Sequence, residues 1–142
     1  KALTFAYNKS LHFKDYLPFL ESFYDRRDEC LADFTIETTI LLSRELGIAS
    51  TRFLRSSELS GIHGVKTDRL IQILQQVGAK HYISGPSARD YIEKEKFDEA
   101  GITLEYMEYN YPEYSQFYPP FEPYITILDL LFMTGKDALN YF

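Results

Sequence analysis

The run HYISGPSARDY, residues 81–91, sets a β-prone His-Tyr-Ile directly before Ser84 and Gly85, and then a helix start at Pro86. Ser87 stands three residues ahead of Asp90, the spacing of a capping pair. A turn between a strand end and a helix start leaves unpaired backbone N–H groups beside the positive end of a helix dipole, which suits a phosphate or a carboxylate. Ser84, Gly85, Ser87 and Tyr91 are therefore candidate ligand-binding residues. The competing reading is local: Ser87 and Asp90 cap the helix, and Gly85 supplies a positive φ for the turn.

A second polar segment carries Ser56, Ser57 and Glu58, then His63 between two glycines, then Lys66, Asp68 and Arg69. Lys66 and Arg69 suit phosphate groups, the guanidinium adding a bidentate contact that an ammonium cannot make. His63 or Glu58 is placed to take a proton from an attacking amine or hydroxyl. The alternative is a solvated first helical turn in which Asp68 favours the dipole and the cations are surface charges. Tyr114 and Gln116 stand in a proline-rich stretch; a tyrosine ring stacks on a sugar and a polar edge binds its hydroxyls, although aromatics at this density also clamp irregular loops. Asp129 is an acid within the apolar run YITILDLLFM. It reads either as a general base or, more cheaply, as the partner of Thr126 in a capping box. His12, His63 and His81 are too widely spaced for a metal site, so neither a metal nor a cofactor is expected, and His81 reads as a half-buried packing residue at the start of a strand. Cys30 is the only cysteine, which excludes an internal disulfide and makes a nucleophilic role conditional on tertiary contacts.

The elements that must position these groups follow from apolar spacing. Residues 11–24 and 33–46 carry helical stripes, residues 48–54 are β-prone, and a polar loop runs over 55–64. A helix over 65–77, a strand over 80–84, a helix over 90–100 and a strand over 102–107 come next, with Gly78 and Gly101 as helix stops. Residues 109–124 hold five tyrosines, two phenylalanines and four prolines. So much proline excludes a helix or a central strand there, and a long ordered loop is expected. An apolar helix over 124–133 and a short terminal helix complete the chain. Two successive strand-helix-strand units predict an α/β fold: a small parallel sheet with flanking helices, Rossmann-like and three-layered. That arrangement would set loops 55–69 and 84–90 side by side over one crevice at the carboxyl end of the sheet.

Fifteen basic against twenty-one acidic residues give a net charge of −6, an unfavourable field for gripping a phosphate backbone, so nucleic acid is not expected as a partner. No apolar run approaches the roughly 20 residues that span a bilayer and no signal peptide is visible, so a cytoplasmic location is expected.

Four blocks, GVKTDRL (64–70), YISGPSARDY (82–91), YPEYSQ (111–116) and ILDLLF (127–132), stand in this order and together resemble the WbqC-like family. The resemblance implies a bacterial protein encoded among genes for surface polysaccharide, typically O-antigen, and a transferase that moves an aminoacyl group such as glycine. Its substrates would be small molecules, a nucleotide-sugar or an aminoacyl donor, with Lys66, Asp68 and Arg69 at the donor. Family members usually open with a strand and a motif resembling HQPNYLP, which this chain lacks. The expected organisation is therefore one α/β domain over residues 1–142 without an N-terminal segment of the full protein. Two further readings stay open: a non-catalytic module that binds nucleotide-sugars or assembly partners, and a purely structural scaffold.

Overall fold

Helix α1 (Ala2–Tyr7) opens the computed structural model, which describes residues 1–142. It is short, and only Leu3 and Tyr7 turn toward apolar neighbours. In α2 (Phe13–Asp25) the expected stripe is buried, with Phe13, Tyr16 and Leu20 on the inner face. α3 (Leu31–Glu45) ends at Gly47, whose φ of +85° is open to glycine at little cost.

The second unit begins beyond this helix with α4 (Lys66–Gln76), β1 (His81–Ser84), α5 (Lys94–Glu99) and β2 (Thr103–Tyr106). β1 and β2 pair in parallel, with His81 opposite Thr103 and Ser84 opposite Tyr106. Phe97 of α5 is fully buried against Leu74 and Ile102, and its ring stacks on Tyr82 with centroids 5.8 Å apart. The last helix, α6 (Ile127–Thr134), returns to the first core: Leu130, Leu131 and Phe132 are buried with the α2 stripe, and Phe132 meets Phe13 edge-on at 5.1 Å. A 3-10 segment, Gly135–Tyr141, follows. Gly135 has φ +60°, and a Cβ there would lie 2.8 Å from the His12 ring, so the end of α6 requires glycine.

The chain thus divides into two compact units, Lys1–Arg52 with Tyr111–Phe142, and Phe53–Asn110. The mixed α/β class and the parallel pairing of residues 81–84 and 103–106 agree with the sequence expectation. The sheet has two strands, however, and the strand expected over 48–54 is absent. Ile48 and Ala49 donate to Ser43 and Gly47 carbonyls in a turn that finishes α3, and residues 49–54 are exposed. β-branched composition favours a strand only where a neighbouring strand and a buried face receive it. The three-layer arrangement expected around that strand is accordingly not what these two strands form.

The helix expected over 90–100 is also divided. A 3-10 turn occupies Pro86–Asp90, Tyr91 leaves helical geometry at φ −138°, and α5 starts three residues later. Its first backbone donor, the Glu93 N–H, is met by Thr67 Oγ1 of α4 at 3.3 Å, a tertiary cap that local spacing does not reveal. Ser87 makes no capping bond, and Gly85 sits at φ −66°, ψ 151°, extended backbone open to any residue, so the positive φ expected there does not occur.

Candidate functional site

Asp129 is the third residue of α6, where a carboxylate complements the helix dipole. Thr126 caps this helix as expected, its Oγ1 accepting from Leu128 N at 3.3 Å. The Asp129 carboxylate does not close the capping box. It turns inward and is 4% exposed, beside the buried Leu130 and Leu131. The Tyr114 hydroxyl donates to Asp129 Oδ2 at 2.8 Å, and Gln116 Nε2 donates to the same oxygen at 3.1 Å. Tyr7, at the end of α1, completes the group: burial first, then its hydrogen bond with Asp129 and the charge of that carboxylate, push its hydroxyl up to about 12. Burial and the Asp129 hydrogen bond raise Tyr114 further still. Both phenols therefore stay protonated at neutral pH and act as hydrogen-bond donors, never as bases.

The proline-rich loop is held to this carboxylate by the two residues that sequence reasoning selected from it. Gln116 pairs with the main chain of Glu122 in both directions, Nε2 donating to Glu122 O at 3.1 Å and Glu122 N donating to Oε1 at 2.8 Å. The Tyr114 ring packs edge-on against Phe121 at 5.3 Å and Tyr141 at 5.6 Å. Beside the cluster lies a cavity of about 270 Å³, walled by Tyr7, Phe117, Tyr118 and Ile125 and reached by Gln116, Glu122 and Asp129. A second depression of about 330 Å³ shares its Ala6, Phe117 and Tyr118 wall and adds Phe5, Asn8 and Lys9. Aromatic faces with fixed polar groups at one end are the usual make-up of a small-molecule site.

The sequence marks Tyr114 and Gln116 and offers a capping box as the cheaper reading of Asp129, while nothing local marks Tyr7, Phe117, Tyr118 or Glu122. The signal for Asp129 was present as one acid inside an apolar helix. Its pairing with Tyr7, more than a hundred residues earlier in sequence, had no local signature.

The other expected site residues lie in the unit Phe53–Asn110. Ser56, Ser57 and Glu58 form an exposed 3-10 turn. His63 is exposed, with its backbone N–H donating to Gln72 Oε1 at 2.8 Å. Lys66 is exposed and holds a left-handed φ of +50°, uncommon outside glycine. Asp68 receives Lys96 Nζ at 2.6 Å, and Arg69 Nη1 reaches Ile62 O at 3.4 Å. Hydrogen bonds to Asp68 and then Glu93 hold the Lys96 ammonium above its ordinary range. Ser84 is buried at the end of β1, whereas Gly85, Ser87 and Tyr91 are exposed. Polar links from the first of these stretches run from Thr67 and Asp68 to Glu93 and Lys96, at the starts of α4 and α5 and beyond the turn at 84–90. His81, expected to pack, is instead exposed and pairs with Glu105 across the strands at 2.7 Å.

No helix is long and apolar enough to cross a membrane. No solved structure matches the chain. The "Uncharacterized protein Rv1507c" of Mycobacterium tuberculosis is 36% identical over 143 residues, which cover 99% of this chain and 61% of the relative. The chain thus spans about three-fifths of the length of the curated relative it matches. The WbqC-like protein family matches residues 1–141. On the family match and the shared identity together, the chain belongs to the WbqC-like protein family.

Proposed function

We propose that the chain is part of a cytoplasmic transferase of bacterial surface-polysaccharide biosynthesis, typically of O-antigen, that places an aminoacyl group such as glycine on a sugar precursor. The observation that carries this reading is the cavity beside Asp129, where Tyr7, Phe117 and Tyr118 offer ring faces and Gln116, Glu122 and Asp129 offer polar edges. A sugar presents an apolar face and a rim of hydroxyls, and such a wall complements both. In this proposal Tyr114 and Gln116 position the wall and the ring of Tyr118 stacks on the ligand. Within the second unit, Lys66 and Arg69, with Ser56, Ser57, Ser84, Gly85, Ser87 and Tyr91, are proposed as anchors for the phosphates of an activated donor. His63 or Glu58 is the proposed proton acceptor. Asp68, already paired with Lys96, is proposed to fix the start of α4 rather than to touch the donor. A two-stranded sheet leaves an unpaired edge on each strand, and further strands in the longer polypeptide would give the three-layer arrangement.

The test is to incubate the full-length protein with nucleotide-sugars and an aminoacyl donor and to follow the sugar by mass spectrometry. The expected result is a product heavier by one aminoacyl group, reduced at least tenfold by Tyr118→Ala. A second reading, a non-catalytic module that binds nucleotide-sugars, is favoured by one observation: a tyrosine hydroxyl and an amide already donate to Asp129 Oδ2, which leaves it poorly placed as a base. Ligand binding with no product under any donor would select that reading.

A further inference from the structure

Two carboxylates, Asp129 and Glu122, line the cavity together with the rings of Tyr7, Phe117 and Tyr118, and no cationic side chain lines it. Asp129 is nearly sealed from water, and the donors that meet it, tyrosine hydroxyls and an amide, are neutral. Aspartate is almost never fully buried unless paired, because a carboxylate taken out of water without a countercharge is costly. A cation brought by a ligand would supply that charge. Aromatic faces add to the attraction, since their quadrupoles draw in an ammonium within about 6 Å of the ring centroid. Charge along the groove is also divided: both acids belong to the inner cavity, and Lys9 belongs to the adjoining depression.

We propose that the cavity beside Asp129 is an ammonium subsite, which receives the protonated primary amine of a substrate between Glu122, Asp129 and the rings of Phe117 and Tyr118. The proposal rests on the transferase reading and names the chemical class its cavity takes. Two sources present this group, the α-ammonium of an aminoacyl donor and the amino group of an amino sugar. With a volume of about 270 Å³, the cavity suits the amine-bearing end of a substrate rather than an entire nucleotide-sugar, since drug-sized ligands fill roughly 300–1,000 Å³. The rest of the substrate would extend along the shared wall of Phe117 and Tyr118 toward Lys9.

Calorimetric titration of the full chain with glycinamide, glucosamine and their N-acetylated counterparts tests this. The free amines are expected to bind saturably, and N-acetylation, which removes the positive charge and leaves the rest of each molecule, is expected to abolish binding. Glycinamide binding should also fade as pH rises through about 8, where an α-amino group loses its proton. Glu122→Gln should weaken both amines about tenfold, the scale of one charge-assisted contact. That variant keeps the loop in place, because the links from Gln116 run through the Glu122 main chain and a glutamine Oε1 still accepts from the Tyr124 N–H, as Glu122 Oε1 does at 3.0 Å. Asp129→Asn is read beside it by circular dichroism, and Glu122→Gln decides the matter if the Asp129 variant does not fold. Tighter binding of glycinamide assigns the subsite to an aminoacyl donor, and tighter binding of glucosamine assigns it to an amino sugar. Equal binding of amine and N-acetyl forms, or no binding of either amine, overturns the subsite. N-acetylglucosamine bound as well as glucosamine would do so while leaving sugar transfer standing. Amine binding without any transfer product would remove the transfer reading and leave the subsite.

Discussion

The two units share surface ion pairs, Arg26 with Asp28 in one of them, but differ in where they keep one acid. In Phe53–Asn110 the acids and cations stay at the surface and find each other there: Asp68 with Lys96, Glu93 with Lys96, Arg89 with Glu108. In the unit containing α1, α2, α3 and α6, one carboxylate is drawn inside and surrounded by neutral donors, next to an aromatic cavity. A solvated pair loses little when broken, whereas a buried acid is retained against its desolvation cost. The contrast teaches where to look for function: the unit richest in catalytic residue types on paper has mostly local uses for them, and the unit that reads as packing holds the unexplained charge.

Substitutions can break or sharpen that contrast. The largest effect is expected at Asp129: replacement by alanine strands the Tyr114 hydroxyl and takes from the Gln116 amide one of its acceptors, and should cost about 3 kcal/mol in chemical denaturation. Asp68→Ala, which removes an exposed partner of Lys96, should leave the unfolding midpoint essentially unmoved. A comparable loss at both positions would erase the distinction. A smaller effect is expected at Thr67→Val, which keeps the shape of a buried side chain but removes the acceptor for the Glu93 N–H; about 1 kcal/mol should be lost, with the start of α5 exchanging its amides faster.

The gentlest probe is alkaline pH. Tyr7 titrates near 12 in the folded chain against a reference value of 10.0. Its folded pKa is raised, so its contribution to stability is intact below pH 10 and is lost as pH climbs from 10 toward 12. Tyr7→Phe should flatten that part of the alkaline unfolding curve, as followed by ultraviolet absorbance. A variant curve identical to the parent would mean that the Tyr7 hydroxyl has no special tie to Asp129.

How much of this was legible in the amino acids depends on the range of each interaction. Helices α2, α3 and α4 and strands β1 and β2 were readable because apolar spacing and glycine stops are local signals, and Gly47, Gly78 and Gly101 all take positive φ at helix ends. The strand expected over 48–54 failed because β-propensity needs a neighbour, and nothing in Ile48 or Phe53 says whether one arrives. The division of residues 86–99 was hidden for the same reason: α5 takes its first partner from Thr67, 26 residues away. In the candidate site, Tyr114 and Gln116 were visible as polar groups in an aromatic loop. Asp129 was visible too, but the capping box explained it equally well until its burial was known. Tyr7 was invisible, since a lone aromatic carries no mark of the carboxylate it will meet.

The central claim, that the amine-bearing end of the substrate is recognised in the Asp129 cavity and not by the polar loops of the other unit, is most directly tested by tyrosine-resolved nuclear magnetic resonance during a glucosamine titration of the full chain. The account predicts that the signals of Tyr7, Tyr114 and Tyr118 move together with one saturation curve, while those of Tyr82, Tyr91 and Tyr106 stay fixed. Movement confined to the second set, or no movement in either, would contradict it.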